Sequence, residues 1–270
     1  MNEAQWEAFQ AFRNSYKELC DQWNTAFAEE LKPLQKSASV KDTPEYPIET
    51  PVVYNTAYDS FTKDDEITLL VIGDNPGKEE QLSKNRKYLV GQSGRIAEGF
   101  FRRHPEFHTD FRKNVIIMNK TPVHTAKTSH LKYLKKNGSE QIKNLIQESQ
   151  ILMAKKAAQL HQALLKNCMG QTVPQLWLVG YAELKKNGIF ASYREELKQA
   201  YTLPDGKEDT AWKKVFVYQH FSMNRFLVDL NDFQKKNMGT DLPKALETLG
   251  HIHRDEIFSL ASKWFFLTVF

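Results

Sequence analysis

The sequence predicts an α/β protein of three layers, α/β/α, with helices on both sides of a central, mainly parallel four-stranded sheet. Two observations carry this expectation. Four short, unbroken apolar runs recur along the 270-residue chain, each ending in a glycine or a polar residue. Between them, apolar residues repeat at three- and four-residue steps. A run without polar alternation suits a strand buried on both faces, as in parallel sheets. Strand–helix alternation then implies right-handed crossovers.

Residues 4–32 predict one long amphipathic helix, because Trp6, Phe9, Tyr16, Leu19, Trp23, Phe27 and Leu31 fall on one stripe. Pro33, Pro44, Pro47 and Pro51 predict an irregular connection over 33–65. The first strand is Thr68-Leu69-Leu70-Val71-Ile72, closing at Gly73, and the second is Asn114-Val115-Ile116-Ile117-Met118, closing at Asn119. The third is Gln175-Leu176-Trp177-Leu178-Val179, before Gly180, and the fourth is Lys214-Val215-Phe216-Val217-Tyr218, before Gln219 and His220. Helices are expected over 93–104, 140–166, 181–188 and 192–201, and again in the tail, 241–270, where Leu246, Leu249, Ile257 and Leu260 are in helical register. A single domain is expected over 1–270. In it, 1–50 form the N-terminal helix and its connection, 51–228 the core, and 229–270 a helical C-terminal extension.

Composition narrows the class of function. No apolar run approaches the roughly 18–20 residues of a membrane span, and the start, MNEAQWEAF, is unlike a secretory signal. A cytoplasmic protein with no membrane partner is expected. Cys20 and Cys168 have neither metal-ligand spacing nor a disulfide framework. The net charge of +4 is compatible with a polyanionic partner without requiring one. The clusters Lys84-Asn85-Arg86-Lys87, Arg102-Arg103-His104 and Lys132 with Lys135 and Lys136 read as solvated faces. So does His251-Ile252-His253, which lacks supporting metal-ligand spacing. No GxxxxGK[ST] or GxGxxG follows the first strand, so the phosphate-loop fingerprints of nucleotide enzymes are missing.

Chemistry gathers at the strand ends, where open parallel sheets bind ligands. The first strand runs into Gly73-Asp74-Asn75-Pro76-Gly77, a tight turn that brings backbone N–H groups and two polar side chains forward. Asp74 and Asn75 could each orient a water or accept its proton. Asn119 offers a donor and an acceptor, the complement of a nucleobase edge. His220, at the end of the fourth strand, could stabilise charge developing on a leaving group.

This set resembles the uracil-DNA glycosylase superfamily, in chain order over about residues 51–228. Gly73-Asp74-Asn75-Pro76-Gly77 is similar to its Gly-x-Asn-Pro-Gly or Gly-Glu-Ala-Pro-Gly motif, with the single-strand-selective and mismatch-specific branches nearest. Pro51-Val52-Val53-Tyr54-Asn55 is similar to the stretch before that motif in the single-strand-selective branch. Val90-Gly91-Gln92-Ser93-Gly94 resembles the Val-Gly-x-x-Gly segment opening the next helix. Asn119 with Pro122 resembles the Asn-x-x-Pro of the base-recognition strand, and Leu178-Val179-Gly180 the third strand. His220-Phe221-Ser222 resembles the His-Pro-Ser motif, with Phe221 in place of proline. Leu89 stands where the superfamily stacks a phenylalanine on uracil, beside Tyr88, and the cluster-binding cysteines of one branch are missing.

The resemblance implies a monofunctional, cofactor-free, monomeric DNA base-excision enzyme that hydrolyses the N-glycosidic bond of uracil or a related damaged base. Asp74, Asn75 and His220 would be catalytic. Gly73, Tyr88, Leu89 and Asn119 would bind the base. Gly77, Gly91, Ser93, Ser222, Asn224 and Arg225 would meet phosphate and DNA, with Met223 or Arg225 as a wedge. The alternative is a catalytically weak protein of the same fold that binds nucleic acid or a modified base.

Overall fold

The computed structural model describes residues 1–166, 168 and 173–262, with side chains through 259. Four strands form the sheet: β1 (Leu69–Gly73), β2 (Val115–Asn119), β3 (Gln175–Val179) and β4 (Val215–Tyr218). All neighbours pair in parallel in the order β2-β1-β3-β4. Gly73 lies opposite Asn119, and Val179 opposite Tyr218, so the carboxyl ends finish level.

Seven helices accompany them among the described residues: α1 (Glu3–Ser39), α2 (Gln92–Arg103), α3 (His130–Asn137), α4 (Glu140–Lys166), α5 (Ala191–Ala200), α6 (Arg225–Lys236) and α7 (Leu242–Ser262). The pleat sorts alternate strand residues into two cores. Leu70, Ile72, Ile116, Met118, Leu176, Leu178, Val215 and Val217 pack with α1, α3, α4 and α5. Leu69, Val71, Val115, Ile117, Trp177, Val179, Phe216 and Tyr218 pack with α2, α6 and the start of α7. The end of α7 crosses to the first core through Ile257 and Phe258, so this helix wraps the β4 side of the sheet. Each such buried aliphatic or aromatic side chain contributes roughly 1.5–3 kcal/mol, which explains why apolar runs alone locate the strands. The three-layer α/β/α expectation holds.

Three boundaries differ. Helix α1 continues through Pro33 to Ser39, so the irregular connection starts at residue 40 rather than 33. Packing outweighs the lost backbone hydrogen bond: Leu31, Gln35 and Ser39 are buried, and Gln35 Nε2 donates to the carbonyls of Pro51 (3.0 Å) and His124 (2.8 Å). The helix expected over 181–188 is only a 3₁₀ turn, Tyr181–Leu184, because the Phe190 N–H takes the Glu183 carbonyl and folds the chain back. Helix α3, not expected from sequence, buries Leu131 and Leu134 at i, i+3 spacing, and α6 begins four residues before the helical extension expected from residue 229. Residues 263–270, and the side chain of Leu260, lie outside the description.

Candidate active site

The chain leaves β1 toward β2 on one side and β3 toward β4 on the other, so strand order reverses between β1 and β3. A crevice is expected at that point, outside the carboxyl ends. A cleft of about 380 Å³ lies there, a volume typical of small-molecule sites, which run from about 300 to 1,000 Å³. Asp74, Asn75, Asn119 and His220 all line it, together with Gly77, Leu89, Ser93, Ser222 and Arg225. Four residues from three strand ends therefore meet around one cavity.

Asp74 is 8% exposed, and both of its oxygens are engaged. Oδ1 accepts from Lys120 Nζ at 2.5 Å, and Oδ2 from Thr128 Oγ1 at 3.3 Å. Lys120 has no exposed surface; burial pushes its pKa down, while the Asp74 charge pulls it back up.

Asn75 Nδ2 donates to Thr125 Oγ1 at 2.8 Å, with longer contacts to the carbonyls of Val123 and Thr125. That anchors the amide by its donor end. Its acceptor, Oδ1, receives no hydrogen bond from the described residues. Asn119 is nearly buried, and its Nδ2 has no partner among the described residues. An unpaired buried amide N–H costs roughly 1–3 kcal/mol, so a ligand carbonyl would satisfy a standing deficit. Gly73 does not line the cleft; a Cβ there would fall 2.4 Å from Asn119 Oδ1, so its contribution is room for Asn119.

His220 Nδ1 accepts the backbone N–H of Ser222 at 3.1 Å and contacts Ser222 Oγ at 2.8 Å. A ring nitrogen that accepts from a backbone N–H carries no proton, so the neutral imidazole holds its hydrogen on Nε2. Burial pushes the His220 pKa down; the Asp74 carboxylate opposes that shift and Lys120 reinforces it. The site thus contains a neutral histidine with a free donor.

Glu80 is an organiser that sequence reasoning missed. Its Oε2 accepts from Gly77 N–H at 3.0 Å and its Oε1 from Leu89 N–H at 2.9 Å, so one carboxyl group joins two cleft-lining loops. Burial pushes its pKa up to about 7 despite both donors. Leu89 itself has φ +51, and its carbonyl accepts from Arg112 Nη2 at 2.7 Å.

Several expected roles need correction. Tyr88 does not face the cleft: it is buried, with its hydroxyl 2.6 Å from that of Tyr16 and 2.5 Å from the Val53 carbonyl. Among the described residues no aromatic ring except the His220 imidazole lines the cavity. Phe221 is buried against Phe226 and does not plug it. Gly91 caps the start of α2, and Asn224 is exposed with φ +57; neither lines the cleft, whereas Gly77, Ser93, Ser222 and Arg225 do.

The loop 125–128, which carries no motif legible in the sequence, forms one wall. None of the basic clusters lines the cavity, although Lys132 reaches Glu183 on its wall at 3.9 Å; Arg102 and Arg103 end α2, and Lys135 and Lys136 end α3, where cations complement the helix dipole. The cations on the cleft are Lys127 and Arg225. His251 stacks on Phe216, and His253 faces Asp229 at 3.7 Å. Among the described residues no cluster of histidine, cysteine and carboxylate side chains could hold a metal ion, and no disulfide forms.

No protein-family model, curated protein or solved structure matches this chain. Among the described residues no helix is long and apolar enough to cross a membrane.

Proposed function

We propose that the protein is a monofunctional DNA glycosylase that hydrolyses the N-glycosidic bond of uracil or a related damaged base. The convergence of Asp74, Asn75, Asn119 and His220 on one cavity carries this reading. Cleavage of that bond passes through a cation-like sugar and an anionic base, so preorganised dipoles matter more than a strong nucleophile. The four residues match that demand. Asn75 Oδ1 accepts a hydrogen bond from the attacking water and aligns it on the sugar carbon. The Asp74 carboxylate stabilises positive charge on the sugar. Asn119 reads the base edge, and His220 Nε2–H donates to the base carbonyl as negative charge develops there.

DNA must deliver the base flipped out of its stack, which costs a few kcal/mol. Met223 is 75% exposed at the cleft with φ +56, suited to fill the gap in the stack. Arg225, Lys127, Ser93 and Ser222 hold flanking phosphates, so binding weakens as salt rises. The test is release of uracil from single-stranded, U:A and U:G oligonucleotides without added metal or nucleotide. Folded protein that frees no base from any of the three defeats the reading.

A second reading has its own support. Both Asp74 oxygens are engaged, and no stacking ring faces the cavity. A catalytically weak binder of DNA or a modified base fits those two features. Salt-sensitive DNA binding without base release would favour it.

A further inference from the structure

A buried ammonium stands behind the cleft, in none of the roles above. Lys120 follows β2 directly and is 0% exposed. Its Nζ meets three acceptors: the Gly73 carbonyl at the end of β1 (3.3 Å), the Val179 carbonyl at the end of β3 (2.5 Å) and Asp74 Oδ1 (2.5 Å). Three donors meet three acceptors, so the group is satisfied. The Phe190 ring covers it, its centroid 5.0 Å from Nζ. One side chain from β2 thus ties together the two strands between which the cleft opens, and fixes the first carboxylate of the β1 turn.

We propose that Lys120 is a positioning residue of this site: its buried ammonium fixes the Asp74 carboxylate in orientation and balances that charge in front of His220. The kinetic part of this inference rests on the glycosylase reading; the electrostatic part stands on the ion pair alone. Lys120 is not a nucleophile in this arrangement, because its hydrogens all point at fixed acceptors and it has no surface facing the cavity. Two opposed charges act on His220. The Asp74 carboxylate favours an imidazolium, Lys120 disfavours it, and burial then keeps the ring neutral. Glu80, Glu183, Lys127 and Arg225 also line the cleft and stay unchanged in the variants below.

The test is a titration of the His220 ring by NMR in wild type, K120M, D74N and the double variant. The midpoint should rise in K120M, fall in D74N, and lie between them in the double variant. D74N is nearly isosteric and keeps the experiment decisive if K120M fails to fold. In base release, K120M should be slower by about 10²-fold, as for loss of one preorganised group. An unmoved His220 midpoint in folded D74N overturns the proposal. So does borohydride trapping of DNA on Lys120, which requires the amine to reach the sugar. Wild-type protein that releases no base defeats the glycosylase reading, while the ring titration still judges the ion pair.

Discussion

Gly180 and Asp74 compete for one space: a Cβ on Gly180 would fall 2.3 Å from Asp74 Oδ1, the oxygen that Lys120 holds. Gly180 also has φ +98, which other residues adopt at a cost. The end of β3 is therefore bare so that the end of β1 can carry a carboxylate. Replacing Gly180 by alanine should displace Asp74 and strain the backbone together, destabilising the protein by about 1–3 kcal/mol. Thermal melts should show the loss, and base release should fall further than stability alone explains. A variant with wild-type melting and release would mean Asp74 has slack that the geometry denies.

The His220 tautomer gives a second expectation. Since the Ser222 backbone donates to Nδ1, the hydroxyl is dispensable for fixing the proton on Nε2. S222A should keep release within about tenfold, whereas H220A should lose about 10²–10³-fold, the usual loss for one preorganised donor. The lowered pKa of His220 also predicts a flat rate through the range where an exposed histidine titrates, near ~6.5. The rate should decline only in more acidic solution. A midpoint at or above that of an exposed histidine would indicate that the imidazolium, not the neutral ring, is the working form.

Much of this arrangement was legible in the chain. Strands buried on both faces announce themselves as apolar runs, and the ends of β1, β2 and β4 lead directly to Asp74, Asn75, Asn119 and His220. What stayed hidden were partners set by distant chain crossings. Lys120 looks like any surface lysine, yet it is the most deeply buried charged side chain described, reached by Asp74 from 46 residues away. Thr128, 54 residues from Asp74, is hidden for the same reason, whereas Glu80 has partners close in sequence and only its burial, set by the tertiary fold, marks it. Tyr88 was misjudged because the stripe on α1 supplies Tyr16, whose hydroxyl draws the Tyr88 hydroxyl inward. Pro33 reads as a break on local propensity, yet the face that Leu31 and Gln35 bury carries the helix through it.

Glu80 should make stability depend on pH in an unusual direction. Its folded pKa, about 7, lies above the ordinary value of 4.5. The folded state therefore holds a proton that the unfolded state releases. The contribution is fully present below about 4.5 and disappears as pH rises through 7, amounting to about 3 kcal/mol at ~1.36 kcal/mol per pH unit. E80Q is neutral throughout, so relative to wild type it should look worst near pH 5 and best near pH 8. Melts of both proteins at the two pH values measure the difference. A constant gap would show that Glu80 stays ionised throughout. Release should also fall in E80Q, because the amide has one acceptor for the two N–H groups of Gly77 and Leu89.

Two other histidines impose the opposite slope. Burial pushes His124 and His161 down to about 4. Burial keeps each ring neutral although the carbonyls beside them favour the cation: His124 Nδ1 lies 2.9 Å from the Pro76 carbonyl, and His161 contacts the Tyr201 hydroxyl and the Pro174 carbonyl. The unfolded chain takes up protons near 6.5 that the folded state refuses, so stability is lost as pH falls from 6.5 toward 4. Each histidine contributes about 3 kcal/mol to that loss. Because His124 braces the Gly73–Gly77 turn through Pro76, its protonation should disturb the cleft as well as the fold. H161Q should reduce acid destabilisation without affecting release at pH 7.5. H124Q should also reduce it, but with slower release, because Asn75 sits in the turn that His124 braces. Equal release by both variants would separate the Pro76 contact from the chemistry of the cleft.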